Sequence, residues 1–298
     1  MWRELRSRVK QGHRTMAYPA EMPTLSDRYL GRPRVDAARC KADCQACVNV
    51  CPTDAITRRV MDAAAEASVN AAAGSRTEGE TVGAEGEASA SRKLGLDLGF
   101  GLDLGRCLFC QECVKACPEQ AIVFSNDPRM ATRTRSALVV EDQSERLFYM
   151  LDEKMRRLFR RSLKLRQVSA GGCNACEADV NVLSTIGFDW GRFGIQCVAS
   201  PRHADGLLVT GPVTANMKEA LLKTYEAVAS PKLVIAVGAC AISGGPFAGL
   251  AEQEDGLGSL LPVDLFIPGC PPHPLTILEG LLALLGQVET ATERTPRG

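Results

Sequence analysis

From Val168 onward, short apolar runs alternate with segments that repeat at helical spacing. Residues 206–213 (GLLVTGPV) and 232–240 (KLVIAVGAC) are almost continuously apolar and carry glycine near their ends, while residues 216–229 between them repeat at the period of a helix. This is a βαβ pattern. Residues 265–269 (LFIPG) predict a third strand, residues 274–285 a closing helix, and FGIQCVAS around Cys197 a further apolar strand with that thiol in the core. Near-continuous apolar strands separated by helices predict a parallel sheet covered on both faces. The longest apolar stretch, residues 275–288, is too short to span a bilayer and contains Glu279.

Upstream the pattern differs. Residues 146–166 set Leu147, Met150, Leu151, Met155, Leu158 and Phe159 against Arg156, Arg157, Arg160, Arg161, Lys164 and Arg166. That spacing predicts a basic amphipathic helix, a connector docked on a neighbouring domain or subunit, with direct contact to anionic lipid as the alternative. Residues 54–59 (DAITRR) and 94–107 (LGLDLGFGLDLGRC) alternate at period two, as strands do. Between them, residues 61–93 are dominated by Ala, Glu, Gly and Ser, a composition with too little apolar surface to offset the entropy of ordering, so a disordered insertion is expected.

Composition narrows the function class. With 298 residues, 45% of them hydrophobic, the chain has room for two domains with their own cores. Thirty-five basic and 35 acidic residues balance to a formal charge of zero, which removes the basic excess of a nucleic-acid binder. The first residues, MWRELRSRVKQGHR, are basic but lack the apolar core of a secretion signal, so a cytoplasmic chain with reduced thiols is expected.

Twelve of the 13 cysteines fall into a pattern. Cys107, Cys110, Cys113 and Cys117, followed by Pro118, have the spacing of bacterial two-cluster ferredoxins, in which three close thiolates hold one four-iron cube and the fourth reaches the other. Cys40, Cys44, Cys47 and Cys51, followed by Pro52, repeat it with one extra residue in the first gap, and both runs continue to Ala-Ile. By this crossing-over, Cys40, Cys44, Cys47 and Cys117 are expected to hold one cluster, and Cys107, Cys110, Cys113 and Cys51 a second. Zinc ribbons would not need the third cysteine and proline at these positions. Cys173, Cys176, Cys240 and Cys270 are dispersed, each beside or near glycine. Cys240 and Cys270 follow expected strand ends, where ligands of open α/β sheets sit, so a third [4Fe-4S] cluster is expected there.

These residues carry a resemblance. Residues 161–287, with GGCNACE, FGIQCVASPRHADGLLVTGPVTANM, VIAVGACAISGG and PGCPP, resemble the small subunit of group 4 membrane-bound NiFe hydrogenases and the homologous 20 kDa subunit of complex I. The half before about Arg135, with TMAYP, YLGRP and both ferredoxin runs, is similar to the ferredoxin-like subunit of formate hydrogenlyase and its complex I counterpart of 23 kDa type. The resemblance implies a fusion of two subunits: an N-terminal extension (1–35), an α+β ferredoxin-like two-cluster domain (36–130) with the insertion 61–93, a connector (131–166), and an α/β flavodoxin-like parallel-sheet domain (167–298). It also implies a wire that delivers electrons through three [4Fe-4S] clusters to a NiFe-type large subunit. Further partners would be antiporter-like and quinone-subunit-like membrane proteins and a donor such as a formate dehydrogenase or a ferredoxin. The location would be cytoplasmic, peripheral on the inner face of the membrane.

Cys173-x2-Cys176 is the hydrogenase arrangement, where complex I subunits have adjacent cysteines. AISGGPFAG after Cys240 lacks the tyrosine-bearing continuation of the quinone-reducing relatives. Arg202 and His203, in SPRHAD, match a family motif and are candidates for tuning a nearby cluster. Glu177 and Asp179 are candidates for a proton route, and His273 for a donor behind Cys270.

Overall fold

The computed structural model describes residues 2–12, 14–41, 44–59, 99–141, 151–159 and 161–288. The expected insertion 61–93 and His13 lie outside them.

Helix α1 (Trp2–Gln11) precedes an extended arm. The cysteine-rich half follows as β1 (Pro33–Val35), α2 (Ala46–Val50), β2 (Ile56–Arg59), β3 (Gly99–Asp103), α3 (Glu112–Ala116), β4 (Ile122–Phe124) and β5 (Val139–Val140). β1 pairs antiparallel with β4, and β2, β3 and β5 form an antiparallel sheet. The two runs of cysteines repeat in three dimensions. Ala55 and Ala121 are both buried, each donating its amide to the sulfur of the cysteine four residues back, and Asp54 and Gln120 both take a left-handed turn (φ 49° and 48°) before Ile56 and Ile122 start a strand.

The second half contains α4 (Glu153–Phe159), β6 (Leu163–Ser169), α5 (Ala175–Val182), β7 (Ile195–Cys197), β8 (Gly206–Thr210), α6 (Ala215–Ala227), β9 (Leu233–Val237), α7 (Ala239–Ser243), β10 (Leu265–Ile267) and α8 (Pro274–Leu284). Five parallel strands run in the order β10-β9-β8-β6-β7. β8 and β9 are buried at every position, as their unbroken apolar runs require, and α8 is buried along its whole length. Among the described residues no helix is long and apolar enough to cross a membrane.

Two expectations are corrected. The connector helix is described only as α4, seven residues long, with Leu151, Met155 and Phe159 packed on the core; residues 163–169 are strand β6. Leu163 and Leu165 alternate with polar residues, as suits a strand flanked by two neighbours, and pairing with β7 and β8 outweighs the helical spacing of the basic residues. Cys197, expected in the core, is exposed on the edge strand β7, where Ile195 is the one buried residue.

The halves share one core. Leu102, Leu104, Ile122 and Leu138 from the first belong to the same buried cluster as Val209, Ile242 and Leu257 from the second. Thr132 and Phe266 exchange both backbone hydrogen bonds (3.0 and 2.8 Å), carrying the connection to the sheet edge at β10. The arm after α1 is equally committed. Arg192 donates to the carbonyls of Met16 and Tyr18 (2.7 and 2.8 Å), Tyr18 is buried, and the Tyr29 hydroxyl meets Thr276 at 3.1 Å. Burial pushes the Tyr29 phenol up to about 12. Because the folded value lies above the unfolded value near 10, the stabilisation is complete below pH ~10 and is lost as the pH rises through the folded value. Tyr29→Phe should therefore cost about 1 kcal/mol at neutral pH. Its deficit relative to the parent should shrink between pH ~10 and 12, as measured by urea unfolding at stepped pH.

Candidate metal centres

The first group of thiols forms around α2 and the turn after α3. Burial pushes the Cys47 thiol up, and the charges of Cys40, Cys117 and Cys44 reinforce it, so these four thiols lie near one another. Burial likewise raises Cys40, opposed by the Arg58 guanidinium. Arg58, on β2, donates to the carbonyl oxygens of Cys44 and Lys41 and so fastens the loop that carries the first two cysteines. Sequence reading passed over Arg58, since an arginine on an alternating strand gives no sign of which loop it will reach.

In the second group, burial lifts Cys107 to about 12 and Cys113 to about 11, with the other thiols of the group, including Cys51, adding to each. Cys51, Cys107, Cys110 and Cys113 line one cavity, closed on its apolar side by Ile56, Leu102 and Phe124. Thr53 donates to the Arg106 carbonyl (2.8 Å), tying the Cys51 turn to the Cys107 loop. Cys117 is thus brought to Cys40 and Cys47, and Cys51 to Cys107 and Cys113.

The third group assembles beyond the carboxyl ends of the parallel strands. After β6, Gly171 and Gly172 lead to Cys173, and Asn174, in the left-handed region at φ 68°, opens α5, whose first turn holds Cys176. Cys240 lies in the first turn of α7 after β9, and Cys270 three residues beyond β10. Burial raises Cys176 strongly, followed by the charges of Cys240, Glu177, Cys270 and Cys173, and burial lifts Cys240 to about 11. Two glycines make the cradle. A Cβ on Gly238 (φ 91°) would stand 2.6 Å from the Cys176 sulfur, and one on Gly245 2.8 Å from the Cys240 sulfur.

These donor sets suit iron-sulfur cubes. Each gathers four thiols that are mutually repulsive as bare anions, and amides of Ala55, Ala121 and Phe109 donate to Cys51, Cys117 and Cys107 sulfurs at 3.2, 3.3 and 3.3 Å, stabilising sulfur charge.

The other candidates are placed as follows. Glu177 is buried, and although burial opposes it, hydroxyl donors from Ser169 and Thr210, both at 2.6 Å, hold its carboxyl below the usual range. It is a fixed anion beside Cys176 at neutral pH. Asp179, half-buried on α5, is raised by burial. Arg202 and His203 are exposed on the turn Pro201–His203, which leads into β8 at its amino end, while the cysteines follow carboxyl ends. His273 caps α8, its Nδ1 accepting from the Leu275 amide at 3.1 Å, and its ring stacks edge-on to Tyr29. Its lowered pKa comes from burial.

The sequence pattern that defines the 20 kDa subunit of NADH ubiquinone oxidoreductase matches residues 173–284, which include all four cysteines of the third group. The probable membrane-bound hydrogenase subunit mbhJ of Pyrococcus furiosus is 45% identical over 118 residues, 40% of this chain and 71% of that protein. The chain belongs to this 20 kDa subunit family. Formate hydrogenlyase subunit 7 of Escherichia coli is 44% identical over 130 residues, 44% of this chain and about half (51%) of that protein's length. An NADH-quinone oxidoreductase subunit of Carboxydothermus hydrogenoformans is 43% identical over 119 residues, 40% of this chain and 72% of its own. A 4Fe-4S binding domain matches residues 101–123, around the second cysteine group. As a 20 kDa-type member with a 4Fe-4S domain, the chain is an oxidoreductase subunit, and its five-stranded parallel sheet is the α/β layer expected for the flavodoxin-like half.

Proposed function

We propose that this chain is the electron-transfer subunit of a membrane-associated, formate hydrogenlyase-like group 4 NiFe hydrogenase complex, relaying electrons through three [4Fe-4S] clusters to a NiFe large subunit that reduces protons to hydrogen. Cys40, Cys44, Cys47 and Cys117 would hold the first cluster, Cys51, Cys107, Cys110 and Cys113 the second, and Cys173, Cys176, Cys240 and Cys270 the third. A bound cluster of this kind supplies a one-electron couple at each site. The chain's own groups fix thiolate orientation, donate amides to sulfur and keep water from the apolar side. In this reading residues 36–130 are a two-cluster ferredoxin-like domain, fused through the connector 131–166 to the sheet domain 167–298, with 1–35 as an N-terminal extension.

The observation that carries the reading is the contact between the second and third groups. The Ser243 hydroxyl donates to the Gly105 carbonyl at 2.8 Å, and a Cβ on Gly105 would meet Ile242 at 2.8 Å. Gly105 stands two residues before Cys107, and Ser243 three after Cys240. Two donor sets joined by one hydrogen bond and a common core are arranged for passage of electrons between them. Exposed Cys173 and Cys270 mark the side that a large subunit would cover, where electrons leave the chain. Antiporter-like and quinone-subunit-like membrane proteins and a formate dehydrogenase or ferredoxin donor complete the proposed complex, on the cytoplasmic face.

The similar identity to a quinone oxidoreductase subunit supports a second reading, in which the large subunit lacks nickel and passes electrons to a quinone. The native complex separates them. The hydrogenase reading expects nickel in the purified complex, hydrogen evolution from reduced viologen and two Cys-x2-Cys pairs in the large subunit; absence of nickel and hydrogen would assign the quinone-type reaction.

A further inference from the structure

Among the described residues, nothing buries the apolar side chains of helix α1. Trp2, Leu5 and Val9 are 81, 56 and 79% exposed, and no residue of the helix is buried. At 3.6 residues per turn the three fall within about 60° of arc. Arg6, Lys10 and Arg3 line one flank of that stripe and Arg8 the other, with Glu4 the one acidic residue of the helix. The arrangement contrasts with α4, where Met155 and Phe159 pack on the core. The arm that follows α1 is tied to the sheet half five residues beyond the helix. The Met16 amide donates to the Gly187 carbonyl at 2.9 Å, and Ile186 beside it is itself 68% exposed.

We propose that α1 lies in the plane of an anionic lipid surface, with Trp2, Leu5 and Val9 in the headgroup boundary and the arginines and Lys10 on lipid phosphates. A short helix, basic on its flanks and bearing tryptophan and aliphatic residues on one narrow face, is the form that binds in the interface rather than across it. Three apolar residues give weak partitioning alone, so charge supplies the selectivity: a negative leaflet is bound and a neutral one is not. At ten residues α1 is too short for a helix pair with a second copy, which needs several heptads of seam. The inference uses the membrane-associated reading only for where the chain meets such a surface.

Flotation of the full, iron-reconstituted chain with vesicles tests it. The chain should float with phosphatidylcholine vesicles containing phosphatidylglycerol, and not with pure phosphatidylcholine, and should be released by molar salt. The double variant Arg6→Glu, Lys10→Glu should lower partitioning by about 30-fold or more, and Val9→Asp should abolish it. Both should keep the parent's cluster absorbance and melting temperature, since no side chain of α1 is buried. Trp2 emission should shift to the blue on binding, a change absent from Trp2→Phe, because Trp190 is buried. Flotation that is absent, equal on neutral vesicles or unaltered in the charge variant would overturn the proposal, as would vesicle-independent dimers that the same variants dissolve. Iron content, read on the same samples, reports separately on the electron-transfer reading.

Discussion

Cys240→Ser is expected to leave about two thirds of the iron in place and to abolish electron delivery to the large subunit. Cys240 sits in the first turn of α7, and its sulfur faces Cys270, Cys173 and Cys176. A hydroxyl fills nearly the same space, but its far weaker acidity makes it a poor iron ligand. The first and second groups draw no thiol from this loop. Low-temperature paramagnetic resonance of the reduced chain should lose one cluster signal and keep two, while hydrogen evolution by the assembled complex falls to background. Retention of full activity would remove the third group from the electron path.

Because the two halves share a buried cluster that includes Ile242 and Leu257, the same variant should also melt earlier. A cluster held by Cys240 would brace α7, and α7 carries both Ile242 and the Ser243 bond to Gly105. Loss of all three signals would show that the shared core makes cluster binding cooperative across the halves, with the ferredoxin-like part unable to hold its iron alone.

Gly238→Ala should produce the second largest loss. The residue lies at φ 91° and ψ 156°, a region essentially confined to glycine, which costs alanine about 1–3 kcal/mol. The added Cβ would also stand 2.6 Å from the half-buried Cys176 sulfur, closer than atoms can pack, so that thiol would have to move. The two effects add, so the variant should lose the third cluster, with Tm lowered by several degrees and the other two clusters retained. Gly258→Ala is the matched control: no atom lies within 4 Å of its added Cβ, and stability and iron content should stay at the parental level. Equal behaviour of the two variants would mean that Gly238 does not shape the site.

Much of the third site could be read along the chain because its signals are local. Glycine beside cysteine and an apolar run ending in a turn are properties of a few adjacent residues, and the strands Gly206–Thr210, Leu233–Val237 and Leu265–Ile267 all fall within the runs that announced them. The strand Leu163–Ser169 failed that test. Its flanking arginines and lysine mimic one face of a helix, and only the neighbours at β7 and β8 give its alternating leucines two partners to bury against. Cys197 was misplaced for a related reason. An edge strand is buried only where other chain covers it, as happens at β10 and not at β7, and that cover is not written in the strand itself.

The sequence by itself determined which thiols exist, how they are spaced and which lie at strand ends, because ligand spacing and strand composition are local chemistry. Only the tertiary structure decided that Arg58 clamps the first loop, that Glu177 is held by Ser169 and Thr210, and that Gly105 touches Ser243. Each of these joins residues from separate elements, and their proximity is set by one continuous hydrophobic core across both halves rather than by any stretch of chain.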